Sequence, residues 1–292
     1  MRQANADDLE LAVHIFRCVQ QCNFKIIDSA VTSTTKSYRR YIDAPRAAGI
    51  HFLLSSVVAV AVALFVFGIW YPFPYSDFSG GRELFLLVVA VDVVCGPILT
   101  LVLFNRLKSW SELLRDLSLI AILQLSALGY GLWSVHEARP LFLVWEIDRF
   151  KVMAMPDFRP AAHEELTLLP SPLSPTLISK PIVVALREPK DELERQKVLL
   201  ESVGGGRDYA ERPAFYIPYK NAPVSKLLLR AKSLPVFLQK QPDQLAKAQK
   251  LATEKNVDLS QLMYLPVIAR QDWIAVLDKQ GQIQGFLKGD GF

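Results

Sequence analysis

Apolar and polar positions divide this chain into two unlike parts. Between residues 47 and 136 the hydrophobic side chains gather into three long runs, at 48–70, 84–104 and 117–135. Each meets the roughly 20 residues a helix needs to cross the hydrocarbon core of a bilayer. A helix also satisfies its own backbone polar groups where no water can reach them. After residue 137 the pattern changes to short β-like runs broken by proline and glycine. The fold class is therefore a membrane α-helical region of three transmembrane helices followed by a small α+β soluble domain. The boundaries read as 1–46 for a cytoplasmic N-terminal extension, 47–136 for the membrane region and 137–292 for the soluble domain.

Charge gives the direction of threading. Lys36, Arg39, Arg40 and Arg46 precede the first run, and Arg106, Lys108 and Arg115 lie around the connection between the second and third. The other side offers only Arg82 and Arg139 close to the membrane. Positive residues stay on the cytoplasmic side, so the N-terminus is cytoplasmic and the soluble domain lies outside. The first run starts too late for a cleaved signal peptide and reads as a retained anchor. The connection at 70–81 is rich in aromatics, proline and glycine, which suits a short outer loop at headgroup level. The net charge of +4 does not point to nucleic acid, because the basic residues cluster beside the apolar runs.

Asp92 stands in the middle of the second run. A carboxylate there costs about 2.5–3.5 kcal/mol on insertion scales, so a partner or a function must offset it. Gly96 shares its helix face four residues on, where a missing side chain lets another helix approach. Pro97 follows and frees a backbone carbonyl, which makes 92–97 a packing and kink site. Gln124, near the middle of the third run, is the expected partner of Asp92. One acid in three helices is thin material for a transport pathway, so helix packing or partner docking is the favoured role.

The remaining candidates are weaker. Residues 7–27 pattern as an amphipathic helix on which His14, Cys18 and Cys22 recur every four residues; such a stripe rarely closes a metal site by itself. In the soluble domain a strand is expected over 141–148, leaving the membrane directly, and another over 180–186. Helices are expected after Pro189, carrying Leu193, Leu200 and Val203 and stopping at Gly204, and after Pro242. Strands over 265–269, 273–277 and 283–287 close the chain, with hairpin chemistry at 278–281. Glu146 and Asp148 form a charged cluster with Arg149 near the membrane exit, on one strand face, and a solvated pairing with Arg149 is favoured over cation binding. Gly204-Gly205-Gly206-Arg207 ends a helix where a phosphate loop must begin one, so it reads as a cap. The segment 223–237, with Lys226, Arg230 and Lys232, reads as core elements with basic edges. No catalytic constellation, metal site or cofactor motif emerges, and the chain is not expected to be an enzyme.

Several strings carry a family resemblance: Arg46-Ala47-Ala48-Gly49-Ile50-His51, Trp70-Tyr71-Pro72, Ser79-Gly80-Gly81-Arg82-Glu83-Leu84-Phe85, Val91-Asp92-Val93-Val94-Cys95-Gly96-Pro97, Arg115-Asp116-Leu117, Ala138-Arg139-Pro140 and Glu146-Ile147-Asp148-Arg149-Phe150. From Arg46 onward the chain resembles the TfpX/TfpZ family of type IV pilin accessory proteins. That resemblance implies a multi-pass protein of the bacterial inner membrane with a periplasmic domain. Its partners would be type IV pilin, other pilus assembly components and the lipid bilayer, with no cofactor and no nucleic acid. It marks Gly80, Gly81, Arg82 and Glu83 as an outer-loop motif. A membrane sensor or transport-associated subunit is the alternative, but a sensor calls for a cytoplasmic output domain that the short N-terminal region does not supply.

Overall fold

The computed structural model describes residues 37–104 and 108–292. The 7–27 pattern with His14, Cys18 and Cys22 lies outside the described residues, as does Arg106. Two compact units divide the chain. One takes the chain up to Val58 together with Ala90–Ala127; the other takes Ala59–Val89 and Leu128–Phe292.

Three helices are long and apolar enough to cross a membrane: Ala44–Trp70, Gly81–Leu103 and Trp110–Glu137. The first comprises α1 (Ser37–Phe65) and a π-helical turn at Val66–Trp70. A short helix, α2 (Tyr75–Phe78), precedes α3 (Gly81–Leu103), and α4 is Trp110–Glu137. The second and third helices begin earlier than hydropathy alone predicts. Glu83 and Glu112 fall in their first turns, where carboxylates favour the unpaired amides of a helix start.

The soluble part is one mixed sheet of eight strands in the order β4-β3-β1-β2-β6-β7-β8, with β5 pairing onto β6. β1 (Pro140–Glu146) and β2 (Arg149–Ala154) form a hairpin. α5 (Pro160–Thr167) then leads to β3 (Ile182–Leu186), which lies parallel to β1. α6 (Glu192–Val203) and β4 (Tyr216–Pro218) follow. The segment expected to be core elements with basic edges forms α7 (Val224–Arg230), β5 (Lys232–Ser233) and the first part of α8 (Leu234–Lys240), and buries Leu227, Leu234 and Phe237. α9 (Leu245–Lys255) leads into the closing strands β6 (Met263–Ile268), β7 (Trp273–Leu277) and β8 (Ile283–Lys288).

Both faces of the sheet are covered, which is why β1 and β7 read as continuous apolar runs without alternation. On β1, Leu143 and Trp145 face a core shared with Phe150, Leu265 and Trp273. Phe142 and Val144 face the opposite core, with Met153, Phe158 and Ala162. A third core joins α8 and α9 to Ile274 and Val276 on β7.

At two places the packing goes beyond what local patterning predicts. The 70–81 connection is more than an exposed aromatic loop. Tyr75 and Phe78 enter the core under the sheet, where Phe78 is fully buried with its ring 4.9 Å from Trp273 and 5.2 Å from Phe286. Burial against Trp273 and Phe286 takes these rings out of water and adds edge-to-face ring contacts. The second place is α6, which forms after Pro189 and stops at Gly204 as expected. Leu193, Leu200 and Val203 are 78%, 74% and 87% exposed, and Val198 is the residue that turns inward. Asp191 sets the start of this helix by accepting a hydrogen bond from the Glu194 amide at 2.7 Å.

Candidate functional site

In the first unit, α3 carries Asp92, Gly96 and Pro97, and α4 carries Gln124. The structure brings Gln124 to Asp92, but to its main chain: the Gln124 Nε2 donates to the Asp92 carbonyl oxygen at 3.1 Å. One carboxylate oxygen of Asp92 is shielded from solvent and has no hydrogen-bond partner. Gly96 makes the contact possible, since a β-carbon there would overlap the Gln124 amide. The space left by glycine is thus filled by the protein's own glutamine. Helix α3 continues through Pro97 to Leu103.

A second polar pair went unrecognised in the sequence. The His51 Nδ1 and Thr100 Oγ1 lie 2.6 Å apart, with Thr100 buried. A cavity of about 520 Å³ lined by Arg46, Ile50, His51, Leu54, Phe104 and Leu117 opens beside them. The available signal was spacing: Thr100 stands one turn beyond Gly96, on the face of α3 that also carries Asp92.

In the second unit, the glycine motif serves packing. Gly80 has a positive φ of 69° and lies against the Arg270 side chain; the ring of Tyr71 lies across Gly81. A β-carbon at either position would collide with these neighbours. The Arg270 amide donates to the Phe78 carbonyl at 3.0 Å, which ties the loop to the end of the sheet. Arg82 and Glu83 point outward, exposed on the first turn of α3.

A further anchorage joins the ends of two membrane helices to the soluble domain. Trp70 Nε1 donates to the Leu177 carbonyl at 2.7 Å. The buried Arg139 guanidinium donates to the carbonyls of Leu177 and Thr176, both at 2.9 Å. Arg139 also lies over the Trp70 ring, 5.7 Å from its centroid, and the Tyr71 hydroxyl donates to the Val135 carbonyl at 3.0 Å. In the sequence, Arg139 stands out as a charge for orientation and as part of the Ala138-Arg139-Pro140 string. Its neighbour Pro140 marked the exit from the helix, but nothing local pointed to carbonyls 37 and 38 residues away.

The charged cluster is placed differently from its expectation. Glu146 ends β1, whereas Asp148 lies in the hairpin turn, so the two do not share a strand face. Six residues at about 3.3 Å each put Glu146 some 20 Å along β1 from the membrane exit at Pro140. Asp148 Oδ1 accepts from Arg149 Nε at 2.7 Å, and this pairing holds the Asp148 carboxyl below the usual carboxylate range. Burial pushes the Glu146 carboxyl above that range, with Asp208 adding to the rise and Lys151 opposing it. Ile147, between them, has a φ of 54°, a strained conformation for a β-branched residue.

The glycine run after α6 is a helix cap. The Gly206 amide returns to the Glu201 carbonyl at 2.7 Å, Arg159 takes the Gly205 carbonyl at 2.6 Å, and Arg207 is bound to Glu165 at 2.6 Å. The run therefore offers no free amide cradle to an anion.

These features define a membrane protein with three candidate transmembrane helices and a mixed-sheet domain docked onto the loop between the first two. A family model described as fimbrial assembly protein FimB matches residues 39–80. Among curated proteins, the serogroup I fimbrial assembly protein of Dichelobacter nodosus is 33% identical over 87% of this chain and 98% of its own length. The serogroup E1 protein of the same organism is 34% identical over the same shares. A shorter relative, from serogroups C1 and C2, is 43% identical over 41% of this chain and 91% of its own length. The chain belongs to the fimbrial assembly protein family. No solved structure matches it.

Proposed function

We propose that this protein assists type IV pilus assembly at the bacterial inner membrane by binding and stabilising pilin before it is built into the fibre. The observation that carries the reading is the similarity to fimbrial assembly proteins along nearly their whole length. The resemblance of its motifs to TfpX/TfpZ pilin accessory proteins supports it. In this reading the N-terminus is cytoplasmic and the sheet domain periplasmic, following the distribution of Lys and Arg. The protein acts by binding and not by catalysis.

Pilin offers two parts to hold, an apolar membrane helix and a globular head outside. The Asp92 carboxylate provides the membrane contact. Gln124 is already committed to the main chain, so the unpaired oxygen of Asp92 is left for a polar group on the incoming helix. The outer domain meets the head. Two experiments test this. Deleting the chain should lower surface pili, and a matching fall in total membrane pilin identifies stabilisation as the step; normal surface pili would refute the assembly role. Site-specific crosslinking of pilin should drop in Asp92→Leu, and equal yields in the two proteins would remove the membrane half of the idea.

A further inference from the structure

Between α5 and β3 the chain turns two large apolar side chains outward, close to where two candidate spans end. Leu177 and Ile178 are 60% and 69% exposed. The turn that carries them is fixed from both directions. The Ser179 hydroxyl accepts from the Thr176 amide at 2.9 Å and donates to the Thr176 carbonyl at 3.0 Å. From the other side come the bonds from Trp70 and Arg139 to the Leu177 and Thr176 carbonyls. Trp70 is the last residue of the first candidate span, and Arg139 follows the last residue of the third, Glu137, by two positions.

Depth follows from these bonds. Trp70 and Arg139 are buried against protein, and their level is set by the helices that end at them: where two spans stop, the chain passes from the acyl region to the headgroups. A turn whose carbonyls are bonded to both is held at that same level. Phe73, 74% exposed and three residues past Trp70, leaves the membrane at the same place. Lys180, exposed just beyond Ile178, brings an ammonium within reach of lipid phosphates.

We propose that Leu177 and Ile178 insert into the acyl–headgroup boundary of the leaflet at which Trp70 emerges, so that the 176–179 turn is an interfacial anchor holding the sheet domain in one orientation to the bilayer. The occupant of this apolar surface is lipid, because the surface continues from the span ends to which the turn is bonded. The inference rests on the reading that the three helices cross a membrane.

The test uses the full-length chain with Cys18, Cys22 and Cys95 changed to serine, in nanodiscs of phosphatidylcholine and phosphatidylglycerol. A spin label is placed on Ile178→Cys or, in a separate protein, on Leu125→Cys in the third span. The expected result is a loss of nickel-chelate collisions and a gain of oxygen collisions at both positions. Nickel-favoured collisions at 178 with oxygen-favoured collisions at 125 would overturn the anchor alone. Nickel-favoured collisions at 125 would overturn the membrane reading and the anchor with it. Should the cysteine-free chain fail to fold, the natural chain in nanodiscs containing a diazirine-bearing phosphatidylcholine gives a second readout. Lipid adducts are expected within residues 176–180, and adducts confined to the spans would overturn the proposal.

Discussion

The candidate spans and the sheet domain solve the same problem, a surplus of apolar side chains, in opposite ways. Along the spans, residues such as Leu53, Leu54, Val57, Leu64, Leu87, Leu119 and Leu125 are exposed, and a few polar side chains bridge neighbouring helices. In the sheet domain and the loop packed into its core, Phe78, Phe142 and Phe150 are fully buried. The difference follows from the solvent. Lipid tails are as apolar as leucine and give no reason to hide it, so the membrane helices need only a few specific contacts. Water expels the same side chains, and the aromatic loop between the first two spans is drawn into the sheet's core.

The comparison breaks most readily at Phe78. Phe78→Ala removes a fully buried ring and should cost about 3–5 kcal/mol. Thermal unfolding followed by near-UV circular dichroism should show a large drop in midpoint, with the sheet domain becoming sensitive to protease. An unchanged midpoint would mean the loop is not part of that core.

Next in size is Arg139→Met, which keeps much of the apolar stem but deletes the guanidinium bonds to Thr176 and Leu177. A hydrogen bond from a charged group is worth about 1.5–3 kcal/mol, and the partly exposed carbonyls left behind can turn to water, so the loss should fall within about that range. Hydrogen exchange should speed up across residues 174–180 and remain as before in β7, where the sheet core is independent of this contact. Equal acceleration in both places would argue for general destabilisation.

Gln124→Leu probes the spans and should do far less, about 0.6 kcal/mol, the average for such bonds between membrane helices. Thermal unfolding in detergent is the measure. A loss as large as that of Phe78→Ala would show that polar contacts dominate the membrane helices and would erase the contrast.

The smallest effect is the pH dependence that Glu146 contributes in the sheet domain. The folded Glu146 carboxyl holds its proton to a higher pH than the unfolded one, so its contribution to stability is greatest below the ordinary glutamate range. It declines as pH rises from that range through the folded value, and stays lower above it. Glu146→Gln should flatten this part of the profile and raise the unfolding midpoint at neutral pH relative to the natural chain. A steeper decline in the variant would reverse the assignment.

The legibility of the sequence follows the same division. Three spans, their order and the β-rich tail could be read directly, because length and hydropathy decide whether a helix can cross a bilayer. Asp92, Gly96 and Gln124 were singled out for similar reasons: a carboxylate, a glycine and an amide are conspicuous in an apolar run. The way they meet was not legible, since the choice between carboxylate and carbonyl as acceptor depends on how α4 is rotated against α3. In the sheet domain, turn and cap signals held where they are local, as at Asp191 and at Asp278, which accepts from the amides of Gln280 and Gln282.

What the sequence alone determined, then, is the partition into lipid-soluble and water-soluble parts and the caps and turns fixed by local side chains, as at Asp191 and Asp278. These depend on neighbours a few residues apart. Only the tertiary structure decided that Tyr75 and Phe78 belong to the sheet core, that Arg139 and Trp70 hold the 176–177 carbonyls, and that Leu193, Leu200 and Val203 face outward. Each of these depends on partners far along the chain, and an aromatic or arginine side chain is equally at home at a membrane boundary or in a core until the fold supplies the surface it packs against.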